Sequence, residues 1–206
     1  MARFGITGGT MYGVSMPNVR KLGRQIGKDH TLAGQLWKSG VHEARILASI
    51  VEEPEKVTEA QANRWIKDFD SWDVCDQACM NLLWQMPFAH RKAKEWTKKT
   101  REFEKRTGFA LMAVLAWKDK EATNSQIEKF LPIIKREATD SRNFVKKAVN
   151  WALRQIGKRN LVLNKKAIST AKQIAKIDSK AAKWIAADAI RELESPGVQR
   201  RLRSNV

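Results

Sequence analysis

The segment Asp68-Phe69-Asp70-Ser71-Trp72-Asp73-Val74-Cys75-Asp76 holds four carboxylates and two aromatic rings in nine residues. Acidic groups weaken attraction to a polyanion, so such a cluster in a strongly basic chain invites an explanation. Ser71 or Asp70 suits the N-cap of a helix starting near Trp72, and Asp73 suits its first turn. Asp76 is not accounted for in this way. It stands four residues from Trp72, and on a helix that spacing puts both side chains on one face. An indole beside a carboxylate can receive a cationic, ring-shaped group. One chemistry fits the pair. Cleaving the glycosidic bond of an alkylated purine develops positive charge on the deoxyribose, and a fixed carboxylate stabilises that charge. The residues alone are equally compatible with Asp76 as a helix residue paired to a nearby Lys or Arg.

The elements that must carry these residues read as helices. Few runs alternate with period two, and helical spacing of apolar residues dominates. Pro17 can open a helix over roughly 18–27. A second amphipathic stretch runs from Val41 to Val51 and stops before Pro54. Further stretches are expected at about 58–69, 73–85, 88–99, 102–118, 124–137, 141–158, 162–176 and 179–194. Residues 1–16, with the Gly8-Gly9 pair, read as an irregular lead-in that matches no phosphate-binding loop. Ser195-Pro196-Gly197 reads as a stop, and 196–206 as a frayed basic tail.

Five stretches look like copies of one unit: ARILASIV (44–51), QACMNLLW (77–84), FALMAVLA (109–116), KAVNWALR (147–154) and KWIAADAI (183–190). Their starts are 33, 32, 38 and 36 residues apart. A period of this length, built from an apolar helix followed by a more charged one, predicts an all-α fold. It suggests an α-solenoid of HEAT-like repeats with a concave basic face, forming one domain over 1–206.

The chain carries 39 Lys plus Arg against 22 Asp plus Glu, a formal net charge of +17. A surplus of that size points to a polyanionic partner, of which nucleic acid is the commonest. Lys98, Lys99, Arg101, Lys105 and Arg106 form one basic group. Arg142, Lys146, Lys147, Arg154, Lys158 and Arg159 form another, and Lys165, Lys166 and Lys172 a third. About half of these are expected on a solvated outer face. The only cysteines, Cys75 and Cys79, share a helix face and read as reduced packing residues of a cytoplasmic protein. No apolar stretch is long enough for a membrane span, and no secretory h-region is present. His30, His42 and His90 have no metal-ligand spacing and read as structural or exposed.

Several separated strings resemble one family. SWDVCD (71–76) looks like the tryptophan-aspartate motif of the AlkD family of DNA alkylation-repair glycosylases. FVKKAVNWALRQIGK (144–158) is similar to that family's later signature helix. FEKRTGFALMAVLA (103–116), LWKSGVHEARILASIV (36–51) and YGVSMPNVRKL (12–22) also fit its pattern. The resemblance runs from about Tyr12 to at least Lys158, with the motifs in order.

The resemblance implies a HEAT-like solenoid. It implies Asp76 as the catalytic aspartate, Trp72 and Trp151 as the tryptophans against the lesion's deoxyribose, and Arg106 at the DNA backbone beside them. Lys105, Lys147, Arg154 and Lys158 are added here as candidate phosphate contacts. No metal and no organic cofactor is expected, and the partner is duplex DNA, met mainly through its phosphates by a monomer. The family is thought to hold the lesion within the stacked duplex and to approach its sugar from the groove. Family members usually carry further helices before the first motif, and their absence implies a more open groove. Each site residue has a plainer reading as well. Trp151 could be core, and Arg106 could be a solvated helix residue. Two other functions stay open: a non-catalytic HEAT-repeat protein that recognises distorted or branched DNA, and a helical scaffold for protein partners.

Overall fold

The computed structural model describes residue 6 and residues 10–204. These residues form α-helices joined by short turns and two 3-10 segments, and Thr10 makes an isolated bridge to Val41. The helices fall into two compact units, Met1–Ala89 and His90–Val206. The Gly8-Gly9 pair lies outside the described residues.

In the first unit, α1 (Met16–Ile26) opens on Pro17 and ends at Gly27, whose φ of 76° suits glycine. α3 (His42–Val51) and α5 (Trp72–Asn81) follow the expected apolar stretches. α4 (Glu59–Lys67) is capped by Thr58, which accepts the Gln61 N–H at 3.1 Å. One helix, α2 (His30–Lys38), lies where the apolar pattern predicts none. It buries only Ala33 and Trp37, too sparse a stripe to register. Its start is set by Asp29, which accepts the Leu32 N–H at 2.9 Å. α3 packs on α1, α2 and α5, so it is the hub of this unit. Residues 10–15 remain irregular as expected, but they are pinned. The Glu43 carboxylate accepts the backbone N–H groups of Tyr12, Gly13 and Val14 at 3.1, 2.7 and 3.2 Å.

The second unit runs through α6 (Ala89–Trp96), α7 (Glu102–Lys118), α8 (Asn124–Glu128), α9 (Leu131–Arg136), α10 (Asn143–Gly157), α11 (Leu161–Ala175), α12 (Lys180–Leu193) and α13 (Pro196–Ser204). Phe109 through Leu115 are all fully buried, and a helix that is apolar all round belongs inside. The single helix expected over 124–137 is two, because Pro132 opens α9 and cannot continue α8. The tail expected to fray is helical as well. Ser195 Oγ accepts the Val198 N–H at 3.4 Å, Pro196 takes the first turn, and Leu202 is 2% exposed. The residues that stop α12 therefore also start α13.

The five sequence copies fall on α3, α5, α7, α10 and α12. Within each unit, consecutive copies pack on each other: α3 on α5, α7 on α10, and α10 on α12. Polar bonds follow the same period. Asp73 meets His42 across 31 residues, Asn81 meets Ser49 across 32, and Asn150 meets Asp188 across 38. Repeat stacking thus sets both the apolar core and the polar stitching.

Candidate nucleic-acid interface

α5 carries Trp72 and Asp76 one turn apart. Ser71 stands at the N-cap, but its side chain makes no capping bond, so the expected cap is one of position only. The register of α5 comes instead from its grip on α3. Near the N-terminus, His42 Nε2 lies 2.8 Å from Asp73 Oδ2. Near the C-terminus, Asn81 Nδ2 donates to Ser49 Oγ at 3.0 Å. The Asp73 hydrogen bond raises the His42 imidazole's pKa above its ordinary value against the opposing effect of burial. Burial pushes the Asp73 carboxyl up, but the His42 hydrogen bond and charge outweigh it and hold the group below its usual range.

The other acids of the cluster also serve the fold. Asp68 Oδ2 accepts the Trp37 indole N–H at 2.9 Å, and Trp37 stacks on Trp65 with ring centroids 4.0 Å apart. Asp70 pairs with Arg45 at 3.3 Å. Asp76 is 7% exposed, and Trp72 is half-buried. The carboxylate is therefore recessed, on a helix that also buries Val74, Cys75, Ala78 and Cys79. Cys75 and Cys79 form no disulfide.

In the second unit, Lys147, Trp151, Arg154 and Lys158 are spaced along one face of α10. Trp151 is half-buried rather than core. Lys147 is exposed and has no ion-pair partner among the described residues. Arg154 lies 3.0 Å from Asp188 and 2.8 Å from Glu192, and Lys158 lies 2.6 Å from Glu192. On α7, Lys105 lies 2.6 Å from Glu137 and 3.0 Å from Asp140. Arg106 is 5% exposed and donates to the Phe144 carbonyl at 2.6 Å. Of the five cations expected to meet the backbone, Lys147 alone is both exposed and without an ion pair among the described residues. The acids that hold Lys105, Arg154 and Lys158 lie more than 30 residues away along the chain, beyond the reach of i, i+4 reasoning.

The histidines behave alike. His30 lies 2.6 Å from Glu52, His42 2.8 Å from Asp73 and His90 2.7 Å from Asp119. One group escaped the sequence reading. Trp117, 49% exposed at the end of α7, and Arg201 on α13 line a cleft together with Trp151. An indole next to Lys118 and Lys120, just past an apolar run, was the available signal.

Among the described residues, no helix is long and apolar enough to cross a membrane. The family model described as "DNA alkylation repair enzyme" matches residues 1–193. A solved structure described as a new family of proteins related to the HEAT-like repeat DNA glycosylases, with affinity for branched DNA structures, shares the fold. It is 22% identical, with a TM-score of 0.75 over 93% of this chain and 86% of that one. No curated protein matches the chain.

Proposed function

Because the chain belongs to the DNA alkylation repair enzyme family, we propose that it is a DNA glycosylase releasing positively charged alkylpurines, of the 3-methyladenine and 7-methylguanine type, from duplex DNA. The C1′–N bond breaks, and its electron pair leaves with the purine and cancels the purine's positive charge. No general acid is required. The deoxyribose takes on oxocarbenium-like charge, Asp76 stabilises it, and water adds to C1′ and sheds a proton. Trp72, one turn from Asp76, lies against the sugar. Lys147 contributes to phosphate attraction. No metal or organic cofactor enters.

One observation carries this reading. Trp72 and Asp76 stand one turn apart on a helix clamped to its neighbour near both ends, with Asp76 recessed at 7% exposure. A recessed carboxylate acts in a less polarisable setting than an open one, which strengthens its effect on developing charge. The test is incubation with N-methylated duplex DNA and detection of free purine and abasic sites. Asp76→Asn is expected to slow base release by about 100-fold or more while leaving DNA affinity nearly unchanged. Release at the wild-type rate from the variant would remove Asp76 from the chemistry.

A second reading is supported by the branched-DNA affinity described for the structural neighbour. In it, the chain binds distorted or branched DNA without cutting a bond. Unmodified protein that binds such DNA yet releases no purine above the spontaneous rate would decide for it.

A further inference from the structure

We infer that the cleft between α7, α10 and α13 is a site for an unpaired nucleotide of a DNA strand, with Trp117 as its stacking platform and Arg201 as its phosphate contact. The cleft has a volume of about 390 Å³, and its lining includes Trp117, Trp151, Lys120, Lys158, Arg159 and Arg201 but no carboxylate residue. That volume falls within the range of small-ligand sites.

α7 explains why the indole stands there. Phe109 through Ala116 are at most 1% exposed, and Trp117 is the first residue of that run to reach solvent, at 49%. A helix C-terminus is a poor neighbour for an anion, because its last carbonyls carry partial negative charge. Here two of those carbonyls, of Ala116 and Trp117, accept hydrogen bonds from side-chain cations. Arg159 donates to the Ala116 carbonyl at 2.9 Å and to the Ala122 carbonyl at 2.7 Å. Lys120 Nζ donates to the Trp117 carbonyl at 2.8 Å. The nearby acid Asp119 is held by His90 at 2.7 Å and accepts the Ala122 N–H at 3.0 Å. The cations around the cleft thus cancel the helix end and also fix the backbone beneath the indole.

Lys158 is paired with Glu192, so it contributes little net charge. Arg201 is exposed and has no ion-pair partner among the described residues. It is the cation best placed to take a phosphate. An exposed ring flanked by such groups is the arrangement that binds single strands, since every base has a face to stack. A base inside a duplex has both faces covered by its neighbours, so the platform selects one that is not stacked on both sides.

The inference rests on the DNA-binding part of the reading above and not on its chemistry. The test measures fluorescence anisotropy with two labelled DNAs, a plain duplex and the same duplex carrying an unpaired thymine flap. Trp117→Ala is expected to weaken flap binding about ten-fold and duplex binding by less than about two-fold. Trp117→Phe should restore most of the loss. Arg201→Ala should weaken flap binding and lower its salt slope by about one. Equal losses on both DNAs, or no loss on the flap, would overturn the site. Affinity of the unmodified protein for plain duplex tests the DNA-binding reading separately, so either can fail alone.

Discussion

Asp140 lies 2.5 Å from Arg142 Nη2 and 3.0 Å from Lys105 Nζ. Burial pushes its carboxyl up, but the hydrogen bonds from Arg142 and Lys105 prevail and hold it at about 2, from an ordinary 3.8. The sign of the linkage follows. A depressed carboxyl contributes stability above its unfolded value and loses it as pH falls through its folded value. Asp140 should therefore add about 2 kcal/mol at neutral pH, fading between pH about 4 and about 2. Urea titrations across that range are expected to show the decline in the wild type and a shallower one in Asp140→Asn. His42 has the opposite sign. Its raised pKa means that its contribution is full below the ordinary imidazole value and is lost as pH rises through the folded one. His42→Ala should remove that loss from the stability profile above pH about 6.5.

The grip of α3 on α5 gives His42 a second consequence, at the scale of elements. The His42–Asp73 contact ties the first turn of α5 to α3, and Trp72 and Asp76 stand on that turn and the next. His42 is in this sense a positioning residue. The second unit has its own close approach. A Cβ on Gly108 of α7 would lie 2.6 Å from the Thr97 amide nitrogen and 2.9 Å from the Ala93 carbonyl oxygen. Backbone atoms cannot step aside as a side-chain end can. Gly108→Ala is expected to cost about 1–3 kcal/mol, read as a lower unfolding midpoint by circular dichroism. Legibility also differed by element. α7 matches its expected range because its apolar run is dense and bounded. α2 escaped notice because Ala33 and Trp37 are its only buried residues. The α8–α9 break follows from Pro132, a single residue inside an otherwise helical pattern.

At the scale of the whole molecule, the +17 surplus is the property that acts at a distance. Internal pairing leaves it intact, since each ion pair removes one charge of each sign. Binding to duplex DNA should therefore weaken steeply with salt, by about 1,000-fold between 50 and 200 mM if six or more phosphates are met. Anisotropy titrations at several salt concentrations check this. A flat salt dependence would favour a scaffold for protein partners over a nucleic-acid binder. Which cations face the phosphates is a different matter from how many there are. Lys105, Arg154 and Lys158 each meet an acid more than 30 residues away along the chain.

Helical class, repeat period and family were readable from the chain alone. Each rests on patterns only a few residues long, repeated in order. The pairing of Trp72 with Asp76 on one helix face was readable for the same reason. Folding settled the rest. The recess around Asp76, the acids that neutralise Arg154 and Lys158, and the cleft joining Trp117 to Trp151 and Arg201 arise from helices stacked on one another. Contacts of that kind join residues some 35 to 85 positions apart, and no local spacing encodes them.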